Sequence, residues 1–242
     1  MIIRLTVLLI GYVFGNFETS FFIGKKRGID IREHGSGNAG TTNALRVMGS
    51  KAGVITFLGD LGKMLAAYLA VWLIFGRNHP DMILLLKLYT GLGVVLGHDF
   101  PALMKFRGGK GIAVTGSLMI LLDWRTGILA AVLFLGILWF THLASLASLT
   151  MVTVNAVLVI IFAACGIIER GVLSLAETAA VIGTIWLLAV IMHRENIKRL
   201  LSGTENKIFL SAYAKKRDAE RAEKREVRRE KSKEPREEKK ES

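Results

Sequence analysis

The sequence is poor in cysteine and proline. One cysteine, Cys165, and three prolines occur among 242 residues. A single cysteine cannot form a disulfide within the chain, and no Cys/His spacing resembles a zinc site. Because Cys165 lies inside an apolar stretch, we predict that it is a small core residue. We expect neither a metal nor a cofactor.

Charged residues are unevenly distributed. The net charge is +12, yet 52% of the residues are hydrophobic, and the mean hydropathy of +0.43 exceeds that of a usual soluble domain. Charges of both signs crowd the C-terminal end with almost no apolar residues. We therefore predict a transmembrane domain at residues 1–212 and a charged cytosolic tail at 213–242, disordered or helical, with no nucleic-acid partner.

Apolar stretches that approach or exceed the length needed to cross about 30 Å of hydrocarbon recur along the chain. They fall at residues 2–24, 52–75, 82–99, 111–123, 126–142, 145–167 and 173–192. The fourth is short enough to be half-embedded. The first lacks a small-residue cleavage site, which favours a retained helix. We predict an all-α integral membrane protein with about seven transmembrane helices.

Lysine and arginine residues indicate the orientation. With seven spans and the N-terminus outside, thirteen flanking cations fall on the inner side and four on the outer side. Positive charge in short loops marks the cytosolic side, so the polar loops are expected to face the cytosol. Lys63 and Lys87 remain inside spans, where an ionisable residue is a functional candidate.

Residues 97–111, GHDFPALMKFRGGKG, form a basic, glycine-rich loop between two apolar stretches. Its candidate groups are Lys105, Arg107, Lys110, Gly108, Gly109 and Gly111. Glycines let a backbone turn tightly, and cations combined with free amides suit a phosphate. His98 is either part of this site or a satisfied interfacial histidine.

A second polar segment, GSGNAGTTNALR, covers residues 35–46. Its short polar and glycine positions are Ser36, Gly37, Asn38, Gly40, Thr41, Thr42 and Asn43. Arg46 adds a planar fork of donors that fits a phosphate, and a helix beginning near residue 41 would point its N-terminus at an anion. The alternative is an ordinary capped loop. A Walker A loop is excluded because no GK[ST] follows.

Two more polar segments lie at the ends of apolar stretches. THLASLAS, at 141–148, places Ser145 where a membrane helix often uses serine for packing instead of chemistry. HRENIKRLLSGTEN, at 193–206, puts His193 and Asn196 at the end of the last stretch. There a general base can meet a surface-bound substrate, although a cytosolic cap rich in positive charge is the alternative.

Together these segments resemble the bacterial acyl-phosphate-dependent glycerol-3-phosphate acyltransferase family, the PlsY family. GSGNAGTTNALR, GHDFPALMKFRGGKGIAV and HRENIKRLLSGTEN look like its three cytosolic motifs in order, and the resemblance covers roughly residues 5–210. It implies transfer of a fatty acyl group from acyl phosphate to the 1-hydroxyl of sn-glycerol 3-phosphate. The products are lysophosphatidic acid and inorganic phosphate, in the first acylation of phospholipid synthesis.

The resemblance also implies roles for individual residues. Catalytic positions are His193, Asn196, Ser145, Lys110 and Arg46. Substrate-binding positions are Ser36, Gly37, Asn38, Gly40, Thr41, Thr42, Asn43, His98, Arg107, Gly108, Gly109 and Gly111. Residues 35–42 would cradle the acyl phosphate, while Arg46 and Lys110 would hold the phosphate of glycerol 3-phosphate or steady the leaving group. His193 is the best candidate base, but a substrate phosphate can take the proton instead.

The implied location is the bacterial inner membrane, multi-pass and in contact with lipid, with the active site facing the cytosol. A functional hand-off from an acyl-phosphate-forming enzyme is expected; the oligomeric state is not indicated. The chain departs from the family at Glu18, where a GSIP-like turn is common, and at His142, where arginine is more familiar. The main alternative is a transporter of a small phosphorylated anion; a membrane scaffold is a third interpretation.

Overall fold

The computed structural model describes residues 1–209, which fold into α-helices joined by loops and short helical turns, with no β-strand in that range. The predicted tail 213–242 lies outside the described residues. The helices are α1 (Ile2–Gly15), α2 (Thr19–Lys26), α3 (Thr41–Met48), α4 (Ser50–Val71), α5 (Ile83–Asp99), α6 (Ile112–Leu122), α7 (Trp124–Thr141), α8 (Ala144–Ala164), α9 (Leu175–Met192) and α10 (Arg194–Leu201). The prediction of an all-α protein is confirmed.

Six stretches of the described chain are long and apolar enough to cross a membrane. They are Ile2–Lys26, Ser50–Gly76, Pro80–Met104, Trp124–Thr141, Ala144–Ala164 and Leu175–Met192. The fourth predicted stretch becomes α6, a helix of 11 residues. At 1.5 Å per residue such a helix rises about 16 Å, roughly half the hydrocarbon thickness. The count of seven crossings and the orientation therefore stay predictions.

The first apolar stretch is a candidate span over Ile2–Lys26, but it is built from two helices and not from the single retained helix that the sequence predicts. α1 ends at Gly15 and α2 begins at Thr19. Between them, the Asn16 side chain donates a hydrogen bond of 2.6 Å to the carbonyl of Tyr12. Glu18 has an extended backbone and is fully buried. The break between α1 and α2 therefore holds two polar side chains, Asn16 and Glu18.

α1 and α5 pack against each other through glycines. Gly11 and Gly15 of α1 meet the backbone of α5, and Gly93 and Gly97 of α5 meet the backbone of α1. A Cβ at any of these positions would collide with the facing helix, and small residues are what permit such close contact in membranes. The contact brings the end of α5 beside the break that follows α1.

Cys165 is exposed and follows the last residue of α8. The prediction that it is a core residue is therefore wrong. Its backbone N–H still bonds to the carbonyl of Ile161 at 2.8 Å. The apolar run continues beyond the helix that it encodes, which is why composition alone placed this residue inside.

Candidate active site

The first polar segment folds around Asn43, which is 1% exposed. Its Oδ1 accepts from the backbone N–H of Ser36 at 2.8 Å, and its Nδ2 donates to the carbonyls of His34 at 2.9 Å and Asn38 at 3.0 Å. Gly35 has a φ of +61° and lies against the Asn43 side chain. Through these bonds the Asn43 side chain holds the backbone of the loop that leads into α3.

The first loop is bonded to the second. The backbone N–H of Ala39 donates to the carbonyl of Gly108 at 3.3 Å, and the Arg32 guanidinium donates to the carbonyl of Met104 at 2.8 Å. Asp30 pairs with Arg32 at 2.6 Å, and hydrogen bonds from Arg32 lower the pKa of Asp30 to about 2. The two glycine-rich segments, which begin at residues 35 and 97, therefore form one continuous surface.

The second loop turns back onto the end of α5. The N–H of Gly109 donates to the carbonyl of His98 at 2.9 Å, and the N–H of Gly108 donates to that of Asp99 at 3.3 Å. A Cβ on either glycine would collide with His98, at its imidazole or its carbonyl. Gly111 has a φ of +67° and begins α6 as its N-cap. These glycines are required because the loop lies directly on α5.

The Lys110 ammonium connects the second loop to α10. Lys110 Nζ donates a hydrogen bond to Asn196 Oδ1. Asn196 Nδ2 in turn donates to Glu205 Oε1 at 2.7 Å, and Arg199 Nε donates to Glu205 Oε2 at 2.7 Å. Two cations thus share one carboxylate, Lys110 through the Asn196 amide and Arg199 directly. This network joins two segments that are distant in the chain, the second loop and residues 193–206.

The environment shifts the pKa of both ends of this network. Burial, reinforced by the positive charge of Arg199, lowers the pKa of Lys110 to about 8. Burial alone would raise the pKa of Glu205, but hydrogen bonds from Asn196 and Arg199 outweigh it, and the Ser145 hydroxyl adds to their effect, so that pKa stays below its usual value. The network therefore holds an ionised carboxylate beside an ammonium that gives up its proton unusually easily.

His193 lies at the junction of α9 and α10 and is 3% exposed. Its Nδ1 is 2.8 Å from the carbonyl oxygen of Ala189. A carbonyl only accepts, so Nδ1 carries the proton and Nε2 keeps a lone pair. Burial and the nearby Lys110 charge lower the pKa of His193 to about 4. The imidazole is therefore neutral at pH 7 and can accept a hydrogen bond.

The bend between α7 and α8 brings Ser145 to the same place. His142 adopts a left-handed conformation with φ of +60° and ends α7. Its carbonyl accepts from the N–H of Ile208 at 2.7 Å, which holds the segment after α10 against the bend. Ser145 is 4% exposed and its hydroxyl contributes to the low pKa of Glu205.

His98 lies beneath the second loop and not on its surface. It is 2% exposed, and its Nδ1 is 2.7 Å from Glu18 Oε1 and 2.7 Å from Lys63 Nζ. Asp60 completes this buried group, 3.2 Å from Lys63 Nζ. Direct contact between His98 and a substrate stays a prediction; in the described structure the ring contacts other protein groups.

The remaining residues predicted from the sequence differ in their exposure to solvent. Arg46 and Arg107 are exposed, and the positive charge of Arg46 is close enough to lower the pKa of Lys110. Asn38 bonds locally, donating to the carbonyl of Ser36 at 3.3 Å. Ser36 and Gly37 are exposed on this face, while Asn38, Gly40, Thr41 and Thr42 are of intermediate burial.

Sequence reasoning missed Glu205. The residue lies inside the segment HRENIKRLLSGTEN, but the histidine and asparagine drew the assignment because their chemistry suits proton transfer. An acid at the end of a basic stretch was a usable signal: Glu205 accepts from both Asn196 and Arg199. It also brings the chain after α10 back toward the bend.

The chain is similar to known glycerol-3-phosphate acyltransferases. Residues 5–203 match the family model of glycerol-3-phosphate acyltransferases. A glycerol-3-phosphate acyltransferase of Alkaliphilus metalliredigens is 40% identical over 208 residues, covering 85% of this chain and 96% of its own. One from Thermotoga petrophila is 38% identical over 204 residues, covering 84% of this chain and 95% of its own.

Solved structures of PlsY, an integral membrane glycerol 3-phosphate acyltransferase, share the fold. Its glycerol 3-phosphate form has a TM-score of 0.70 at 30% identity, covering 85% of this chain and 96% of that one. Its lysophosphatidic acid form has a TM-score of 0.69 at 30% identity, covering 85% and 95%. The range matched by the family model includes the first three polar segments in chain order and residues 193–203 of the last. The chain therefore belongs to the glycerol-3-phosphate acyltransferase family.

Proposed function

We propose that this protein transfers a fatty acyl group from an acyl phosphate to the 1-hydroxyl of sn-glycerol 3-phosphate. The hydroxyl oxygen bonds to the acyl carbon, the bond from that carbon to the phosphate oxygen breaks, and inorganic phosphate leaves. The hydroxyl proton passes to His193 or to a phosphate oxygen. The observation that carries the proposal is the meeting of both glycine-rich loops and α10 around Lys110. Substrate and product forms of a similar protein support it.

The first loop is proposed as the cradle of the acyl phosphate. Gly40 is the N-cap of α3, whose first residue is Thr41, so N–H groups of the first turn are available to an anion. Ser36, Asn38, Thr41 and Thr42 add side-chain donors. Arrayed donors stabilise phosphate as a leaving group without a covalent intermediate. A direct, one-step transfer fits this arrangement.

Lys110 and Arg46 are proposed to hold the phosphate of glycerol 3-phosphate. The positive charge of Arg46 is close enough to lower the pKa of Lys110, and a phosphate placed between them relieves that repulsion. Lys110 is half-buried whereas Arg46 is exposed, so one fixes the anion and the other recruits it from water. Arg107 and the glycines Gly108, Gly109 and Gly111 shape the wall beside them.

His193, Asn196 and Ser145 are proposed to orient the glycerol hydroxyl. With Nδ1 bonded to Ala189, His193 can offer Nε2 to the attacking O–H. A pKa of about 4 makes the free imidazole a weak base, which leaves room for a substrate phosphate to accept the proton. A bound dianion would raise that pKa and strengthen the imidazole as a base.

The active site is proposed to face the cytosol from the inner membrane of a bacterial cell. Exposed apolar side chains surround the helices, and Leu103 and Phe106 project from the second loop, 81% and 62% exposed. Apolar groups at that point suit the lipid interface, where an acyl phosphate resides, while the cations beside them meet a soluble acceptor. An acyl-phosphate-forming enzyme is the proposed supplier.

The donor is tested with the purified full-length protein. Palmitoyl phosphate and labelled glycerol 3-phosphate should give labelled lysophosphatidic acid, whereas palmitoyl-CoA in place of the acyl phosphate should give none. Product from both donors would show that the leaving-group site does not select phosphate. Because the chain belongs to an acyltransferase family, the transporter interpretation has no observation in its favour.

A further inference from the structure

A cluster of charged side chains is buried directly under the second loop. Glu18, Asp60, Lys63 and His98 are each at most 5% exposed. Glu18 comes from the break after α1, Asp60 and Lys63 from α4, and His98 from the last turn of α5. Buried charges are costly unless they are paired. The reaction proposed above gives this cluster no role.

The geometry identifies Lys63 as the cation of the cluster. Ligand atoms of Glu18, Asp60 and His98 lie within 4.8 Å of one another, as in a metal site. Lys63 Nζ, however, lies 3.0 Å from Glu18 Oε1, 3.2 Å from Asp60 Oδ1 and 2.7 Å from His98 Nδ1. It also donates to the carbonyl of Phe17 at 3.0 Å. An ammonium in this position takes the place that a metal ion would need.

The His98 ring connects this cluster to the second loop. One edge presents Nδ1 to Glu18, and the opposite nitrogen, Nε2, faces Gly109 so closely that a Cβ there would collide with it. The N–H of Gly109 is bonded to the His98 carbonyl at 2.9 Å. Lys110 follows directly in the chain. A tilt of the imidazole therefore displaces the backbone that carries Lys110.

We propose that Glu18 is a positioning residue for the second loop: its 2.7 Å contact with His98 Nδ1 fixes the imidazole on which Gly109 rests and thereby sets the position of Lys110. The proposal rests on the role of Lys110 in holding glycerol 3-phosphate. Glu18 is the carboxylate in closest contact with the ring, at 2.7 Å against 3.6 Å for Asp60. The helix break after α1 places it there.

Three substitutions of Glu18 distinguish the effect of side-chain length from the effect of charge. Glu18→Ala removes the acceptor, so the KM for glycerol 3-phosphate should rise about tenfold, the equivalent of one hydrogen bond in a charged pair. Glu18→Asp keeps the charge but withdraws it by one methylene, and the KM should rise about threefold. Glu18→Gln keeps the acceptor, and Asp60 still pairs with Lys63, so the KM should stay within about twofold of wild type. The kcat should change little in all three.

The control is Glu177→Ala. This carboxylate is also paired, with Arg4 at 2.5 Å and with Tyr89 at 2.7 Å. It lies near the start of α9, roughly 24 Å along that helix from His193. Loss of this pair should lower thermal stability without changing the KM. If Glu18→Ala does not yield folded enzyme, the comparison between Glu18→Asp and Glu18→Gln decides the question.

The variants are repeated in a Lys110→Gln background. If Glu18 acts through Lys110, Glu18→Asp should add less than about twofold to the KM of Lys110→Gln, because coupled residues are not additive. An unchanged KM in Glu18→Asp, or a rise only in Glu18→Gln, would overturn the role of Glu18 while leaving Lys110 in place. An unchanged KM in Lys110→Gln itself would overturn the proposed phosphate site and with it this inference.

Discussion

Lys110 of the second glycine-rich loop donates a hydrogen bond to Asn196 of α10. The bond spans 86 residues of sequence and places the most buried cation of the loop beside His193 and Glu205. Because burial lowers the pKa of Lys110 to about 8, this contact also makes the proposed binding of phosphate sensitive to pH.

The pH dependence of substrate binding follows from Lys110. Because the pKa of Lys110 is lowered to about 8, the side chain is fully protonated well below pH 8 and loses its charge as the pH rises through that value. The KM for glycerol 3-phosphate should therefore rise above pH 8, by up to about tenfold per pH unit. Lys110→Arg should remove this inflection, since a guanidinium stays charged. A KM that is flat to pH 9.5 in the wild type would contradict the assignment.

Removal of Arg46 should weaken binding of the same substrate. Arg46→Ala deletes an exposed guanidinium near Lys110, and the KM for glycerol 3-phosphate should rise about tenfold or more, the value of one charge-assisted bond. Arg77→Ala, which removes an exposed cation beyond α4, serves as the control and should leave the KM unchanged. Equal effects of both substitutions would point to general electrostatic attraction.

Substitution of His193 should affect turnover more than binding. His193→Ala removes the Nε2 acceptor that is proposed to orient the glycerol hydroxyl, and kcat at saturating substrates should fall about 100-fold or more. His79→Ala, in the loop before α5, should keep wild-type kcat. Turnover close to wild type in His193→Ala would remove this residue from the chemistry.

Glu205 should stabilise the fold in a pH-dependent way. Its pKa in the folded protein is below the usual value, so its contribution is complete above the pKa of the unfolded chain and is lost as the pH falls through the folded pKa. Glu205→Gln should lower the free energy of unfolding by about 2 kcal/mol at pH 7, the value of hydrogen bonds to a charged group. Thermal unfolding in detergent between pH 7 and pH 4 tests this, and a wild-type advantage that grows toward pH 4 would be inconsistent with it.

Apolar length and motif order were enough to predict the helical class and the family, and α5, α7 and α9 begin and end within a few residues of the predicted stretches. Composition could not predict the break after α1. At the break, Glu18 contacts Lys63 of α4 and His98 of α5. These residues are up to 80 positions apart in the sequence.

Residues of the candidate site could be predicted from the sequence where the side-chain type itself indicates a chemical role. Lys110, His193 and Asn196 were identified from their segments, and they lie together. His98 looked equally suited to a ligand, but its partners are buried side chains that only the packing of α1, α4 and α5 brings near. Glu205 was missed because its importance comes from the two donors that converge on it.

The most direct test of the proposed function uses the purified protein in sealed vesicles with palmitoyl phosphate and labelled glycerol 3-phosphate, without CoA or acyl carrier protein. The label should appear in lysophosphatidic acid, with one inorganic phosphate released per acyl group transferred. Label that accumulates inside the vesicles as unmodified glycerol 3-phosphate, with no phosphate released, would contradict acyl transfer.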